Sequence, residues 1–303
     1  MRKAIALLLT IFFIMAITLS LGIGMGWLNS ITQETQKEQF MIQSRLLLDD
    51  LLTLLKTSKD INSIVSDANG SEAFSLFLEQ SSFIPLAYED FEVTIEVSSA
   101  RNKINPNTFI DANVTMNMPR VEALRTYLNT KRVDTIFADM LLDVISPVQE
   151  YGSYNSDIFT SQPHLFNEYL ASSSHLNKVT DFFTQRYRYN TLASIPFEEL
   201  FIYSKQRNTK IDLNVATAET WMFLLGCEQQ RAEDIIALSG VCEDFACLEL
   251  SDDEERLVKR FETSFYEPII EVTLHLRKDF LQATIAFEYD LKQKKGSRFV
   301  YQI

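Results

Sequence analysis

The chain has 303 residues, of which 46% are hydrophobic and 23% charged, with only 8 glycines and 7 prolines, a balance that excludes collagen-like, wholly disordered and multi-pass membrane proteins. Its 28 basic and 41 acidic side chains leave a formal charge of -13, and a net field of that sign opposes a broad nucleic-acid surface. Three cysteines, Cys227, Cys242 and Cys247, are too few for a disulfide scaffold, so a hydrophobic core must hold the fold.

No charged residue occurs from Ala4 to Gln33, and residues 4–28 are mostly apolar. At a rise of about 1.5 Å per residue, roughly 20 of them cross a hydrocarbon core of about 30 Å. Arg2 and Lys3 precede this run and Glu34 follows it, which places the N-terminus in the cytoplasm and the body outside. A cleaved secretory signal is the competing reading; the run is long for one and lacks a clear A-x-A exit.

The next stretch becomes amphipathic. Phe40, Ile42, Leu46, Leu47, Leu51, Leu54 and Leu55 recur at near-helical spacing, which predicts one continuous or slightly kinked helix over about 4–57. Residues 60–84 read as a turn and a short helix, and the alternation of Phe91, Val93, Ile95 and Val97 reads as a strand. From about Arg120 to Glu262 the pattern is largely helical, with breaks at Asn129 and Pro147 and a loop-rich interval after them. The C-terminal 39 residues read as three antiparallel strands, broken near Arg277 to Asp279 and at Gly296. Strands flanking a helical block indicate an α+β body carrying an inserted helical domain.

Two segments echo each other. Lys103, Ile104, Asn105 and Asn107 of KINPNT correspond to Lys210, Ile211, Asp212 and Asn214 of KIDLNVAT, each ahead of a helix that Asn or Thr can cap; chance similarity of short turns is the plain alternative. After the second copy, an apolar helix, Gly226 and a further helix outline a helix-hairpin-helix. Hairpins of this shape can hold phosphate on backbone amides, but Glu228, Glu233 and Asp234 against Arg231 alone favour a structural role here. Cys242 and Cys247 are close enough in sequence for a local bridge, or can stay reduced. The acidic run around Glu243, Asp244, Asp252 and Asp253 offers hard oxygen ligands for calcium without EF-hand spacing; a solvated loop and helix cap is the simpler reading.

The order of these pieces resembles the K-type minor pseudopilin family (general secretion pathway protein K) of bacterial type II secretion systems. The matching pieces are the basic leader and apolar helix from Arg2 to Leu21, the strand and turn from Val93 to Asn107, MLLDVISP at Met140 to Pro147, and KIDLNVATAETWMFLLG at Lys210 to Gly226. The resemblance implies a pilin-like α+β fold with a long N-terminal transmembrane helix, a small antiparallel sheet and a large inserted helical domain. In those terms the chain divides into a leader over 1–4, an N-terminal helix over 5–57 with its membrane part at about 5–28, a first pilin-like part over 58–118, the insertion over 119–264 and C-terminal strands over 265–303.

The resemblance further implies cleavage by a prepilin peptidase between Ala4 and Ile5, although the family usually has Gly where Ala4 stands. It places Leu9 at the position that carries Glu in other pilins; a neutral residue suits a subunit with no neighbour ahead of it, because an unpaired carboxylate in a bilayer or filament core is costly. The implied role is architectural: capping the tip of the pseudopilus and helping start its assembly, for export of folded proteins. The implied partners are I-like and J-like minor pseudopilins, the major pseudopilin, the inner-membrane secretion platform and the lipid bilayer, and calcium is the one associated cofactor. The implied location is the bacterial inner membrane, single-pass, with the body in the periplasm.

Three other functions compete. The sequence holds no GxSxG, HExxH, phosphate-binding glycine loop or Cys-His arrangement to support an enzyme. A membrane-anchored DNA receptor requires a basic face around Gly226. A bitopic periplasmic sensor or adhesion module would make no filament-packing use of the first helix.

Overall fold

The computed structural model describes residues 34–66, 70–88, 91–147, 154–187 and 191–302. The expected membrane segment, with Ala4, Ile5 and Leu9, lies outside the described residues. Among the described residues no helix is long and apolar enough to cross a membrane.

Residues 34–57 are helical (α1). Phe40, Ser44, Leu48 and Leu55 are buried at intervals of four and seven, which keeps them on one face. The Ser44 hydroxyl donates to the Phe40 carbonyl at 2.7 Å, so a polar group sits in the apolar stripe at no cost in unmet hydrogen bonds. The apolar set read from the sequence divides here. Phe40 and Leu55 point inward, whereas Ile42, Leu46 and Leu54 are 61%, 57% and 61% exposed. Helices α2 (Lys59–Ser66) and α3 (Gly70–Ser81) add Ile61, Ile64 and Phe74 to the core beneath α1.

These helices cover one face of an antiparallel sheet ordered β1-β2-β5-β6-β7. Its strands are β1 (Phe83–Tyr88), β2 (Phe91–Ser99), β5 (Ile269–Lys278), β6 (Leu281–Asp290) and β7 (Lys295–Gln302). The period of two puts Val93, Ile95, Val272, Leu274 and Ile285 against the helices. The opposite face is polar, with His275 near Glu96 at 3.6 Å and Arg277 near Glu92 at 3.7 Å. Strand β1 takes the last two residues of the region read as turn and helix and four beyond it for which no element is expected; its Pro85 sits on an edge strand, where a missing N–H is tolerated. The last reversal also differs from expectation. Gly296 lies inside β7, and a Cβ there would meet Phe299 at 2.7 Å and Leu52 at 3.3 Å, so this glycine permits close packing and the turn falls at residues 291–294.

Neighbouring strands β2 and β5 are separated in sequence by the helical body. It contains α4 (Met118–Thr130), α5 (Ile136–Ile145), α6 (Ile158–Ser161), α7 (Ser173–Tyr187), α8 (Phe197–Leu200), α9 (Ala218–Leu225), α10 (Gln229–Leu238) and α11 (Asp252–Val258). Short strands β3 (Ile211–Asp212) and β4 (Thr263–Ser264) pair in parallel within it. Helix α5 is apolar on nearly every side and is the centre of this second core; eight of its ten residues are buried. One of the eight, Asp143, is satisfied by the backbone and side chains of Asn155 and Ser156 at 2.6–3.0 Å.

The direction of α1 fixes the polarity of the molecule. Phe40 stacks on Phe91 at the start of β2 with ring centroids 5.5 Å apart, and Gln43 meets Lys278 at the end of β5. Leu52 lies by Gly296, at the other end of the sheet, where Ser99 pairs with Ile270. The helical body begins beyond Ser99 and ends before Ile269. It therefore sits at the pole opposite the one where α1 begins.

Candidate functional site

The echoing segments become two copies of one turn, side by side. Asn105 Oδ1 accepts from the Asn107 amide at 3.2 Å, and Asp212 Oδ1 accepts from the Asn214 amide at 3.1 Å. Ile104 bridges in parallel to Phe201, and Ile211 pairs in parallel with Thr263. The copies touch directly, since the Asp212 amide donates to the Arg101 carbonyl, the Thr217 amide to Asn102, and Asn105 Nδ2 to Thr209 Oγ1.

Each copy ends in a buried asparagine that ties distant backbone together. Asn107 Nδ2 donates to the Leu170 and Ser204 carbonyls, and its oxygen accepts from the Leu170 amide at 2.6 Å. Asn214 Nδ2 donates to the Cys242 and Phe265 carbonyls and to Ser71 Oγ, while its oxygen accepts from the amides of Gly240 and Cys242 at 3.0 Å. Ser71 and Ser75 of α3 reach the Gly240 carbonyl, so this asparagine also joins the helical body to the sheet layer. Asp212 is 1% exposed; burial pushes its carboxyl pKa up to about 6, against the lowering effect of amide bonds from Glu267 and Asn214. Lys103 and Lys210 lie outside this network; Lys210 pairs with Glu267 at 3.3 Å.

Gly226 ends α9 with φ +63, and its amide donates to the Met222 carbonyl. That amide is consumed by the cap, and Arg231 is held bidentately by Glu254 at 2.9 Å, so neither is open to a phosphate. Arg231 in turn pulls the Glu254 carboxyl pKa down to about 2. Cys242 and Cys247 are joined by a disulfide that closes the loop read by Asn214. The acidic run serves local structure: Asp244 caps the turn at Phe245–Leu248, Ser251 and Glu254 form a capping box, and Asp253 pairs with Arg256 at 2.6 Å. Glu243 and Asp252 do not converge with them on one point, and among the described residues no group of three or more His, Cys, Asp or Glu is placed to hold a metal ion.

The surface suited to a partner is apolar and lies along α1. Met41, Ile42, Leu46 and Leu54 are exposed, and Phe299 and Tyr301 of edge strand β7 are 39% and 51% exposed. Between these elements runs a groove of about 340 Å3 lined by Met41, Ser44, Arg45, Ala283, Ile285 and Tyr301. Met41 belongs to both the exposed apolar side of α1 and the groove.

No protein-family model and no curated protein matches the chain. Among solved structures, one chain of the crystal structure of the GspK-GspI-GspJ complex from the enterotoxigenic Escherichia coli type 2 secretion system superimposes with a TM-score of 0.58 and 13% identity. The match covers 89% of this chain and 98% of that one. The two chains share a fold. Coverage on that scale takes in the sheet and the helical body together, so the likeness is to the whole architecture.

Proposed function

We propose that the chain is a K-type minor pseudopilin of a bacterial type II secretion system, with a structural role in assembling the pseudopilus. The observation that carries this reading is the fold shared with a chain of the GspK-GspI-GspJ complex across both bodies. The exposed α1 face and its groove are the surface for I-like and J-like partners. They supply the apolar contact area that drives association, with no catalytic group required.

The polarity of the molecule supports a place at the tip, with a part in starting assembly. With the N-terminal helix entering at the Phe40 pole, the helical body lies at the far end of the sheet, where it would obstruct a subunit stacked above. Export of the body to the periplasm, anchorage by residues 5–28, cleavage between Ala4 and Ile5, and the neutral Leu9 belong to the same proposal. So do contacts with the major pseudopilin and the inner-membrane platform.

Co-purification tests it. The chain expressed with the I-like and J-like pseudopilins of the same organism should elute as one complex, and failure to associate under matched conditions would remove the tip reading. Mass spectrometry of the native N-terminus should find Ile5 as the first residue.

A further inference from the structure

Where β6 and β7 meet the helical body, the walls enclose a cleft of about 570 Å3, within the range of sites that hold a small ligand. Its charge is opposite to that of the protein. Arg101, Lys205, Lys295 and Arg298 line it against the acids Glu288 and Asp290, in a chain whose formal charge is -13. Lys292 and Lys294 continue the basic run in the adjoining turn, and no acid follows Asp290 in the sequence.

The inner wall shows what chemistry fits. Arg101, 7% exposed, grips both oxygens of Glu288 at 3.3 and 3.4 Å, and Arg298 bonds the same carboxylate. One carboxylate thus serves two guanidinium groups, and with Asp290 the lining sets two acids against four cations, so positive charge remains in excess and an additional anion is favoured there. Arg298 reaches this position through an irregular backbone. The β6-β7 register shifts between Ala286 and Glu288, and Arg298 takes φ +57, a conformation that side chains other than glycine rarely adopt. Bulges of this kind re-aim a side chain, and strained backbone collects at functional sites. Tyr203 lines the same cleft with Tyr169.

We infer that this cleft binds carboxylate groups, presented by an acidic segment of a protein or by a free polycarboxylate, with Arg101 and Arg298 inside and Lys205 and Lys295 at the mouth. The inference does not rest on the pseudopilin reading and survives if that fails. The probes are a labelled octapeptide of alternating Asp and Thr, citrate, inorganic phosphate, and a peptide with Lys replacing Asp, each titrated against the full chain in neutral detergent. Peptide binding that weakens with salt identifies a protein segment as the source, and binding of citrate alone identifies a free polycarboxylate. Joint replacement of the exposed Lys205→Gln and Lys295→Gln should weaken binding about tenfold, the scale of two partly desolvated charge contacts. Arg298→Gln should weaken it further, whereas Lys178→Gln, outside the cleft, should leave it unchanged. No binding of the acidic peptide or citrate at millimolar concentration, binding unchanged by the variants within the cleft, phosphate binding alone, or equal binding of the Lys peptide would each overturn the inference.

Discussion

Asn107 and Asn214 occupy equivalent places in two adjacent copies of one turn, and each is the buried hub that fixes loops distant in sequence. Neither can be replaced cheaply. An alanine at 214 strands the amides of Gly240 and Cys242 and the carbonyl of Cys242, and each buried group left unpaired costs about 1–3 kcal/mol. Asn214→Ala should therefore lower unfolding stability by at least about 3 kcal/mol, a loss that urea denaturation reads directly. Asn107→Asp should do comparable harm, because it turns an oxygen toward the Leu170 and Ser204 carbonyls. A variant as stable as the parent would show that the hydrogen bonds are not made in solution.

Acid titration separates two carboxylates of opposite behaviour. Asp212 has a folded-state pKa raised from 3.8 to about 6 by burial, so the unfolded chain releases this proton first. Its contribution is greatest below about pH 4 and falls as pH rises toward 6 and beyond, by up to about 3 kcal/mol. Glu254 is lowered from 4.5 to about 2 by its Arg231 partner; its contribution is present above the unfolded value and is lost as pH falls toward 2. Measured from pH 3 to 7, the stability difference between parent and Asp212→Asn should change in one sense, and that for Glu254→Gln in the other. Parallel curves for the two variants would contradict both assignments.

Reduction of the Cys242–Cys247 bridge frees a short loop. In the chain-entropy account such a loop contributes about 2 kcal/mol, and here it also presents the backbone that Asn214 binds. The Cys242→Ser, Cys247→Ser double variant should lose about that much stability, and in combination with Asn214→Ala the losses should be less than additive. Strict additivity would mean that bridge and asparagine act independently.

How legible these features were in the sequence depended on their range. The K-I-x-x-N echo was visible because the residues that form each turn are contiguous. Asn107 and Asn214 could be marked as turn residues, while their partners, lying 26 to 143 residues away, could not be read from the sequence. Strand β1 was hidden by Pro85, whose tolerance depends on edge position in the sheet. The Arg101–Glu288 pair spans 187 residues and leaves no local pattern. The apolar residues of α1 are evident in the sequence but their sorting is not, because Ile42 and Leu46 differ from Phe40 and Leu48 only in which face meets the sheet.

Gly226 gives a sharp local test. Its φ of +63 is in the left-handed region, and a Cβ would meet the Thr126 methyl at 3.3 Å. Gly226→Ala should cost about 1 kcal/mol, whereas the proximity of α9 to α4 leaves little room for the backbone to relax. A thermal midpoint unchanged within error would mean that the α9 cap is not formed as described.

The exposed face of α1 distinguishes an assembly surface from incidental apolar exposure. Ile42 and Leu46 make no contribution to the core beneath α1, since they are 61% and 57% exposed, so Ile42→Glu and Leu46→Glu should leave the isolated chain's stability within about 0.5 kcal/mol of the parent. Buried at an interface, each would place an unpaired carboxylate among apolar groups, a penalty large enough to weaken association by tenfold or more, on the order of 1.4 kcal/mol each. Co-elution with the I-like and J-like partners should therefore be lost while the melting curve of the chain alone is kept. The Asp49 position provides the control: it is already charged and exposed on the same helix, and Asp49→Ala should leave both measurements unchanged. If the glutamate variants still assemble normally, the partner-binding surface lies elsewhere, and the groove beside Tyr301 would have to be probed in the same way, with Tyr301→Ala and Met41→Ala.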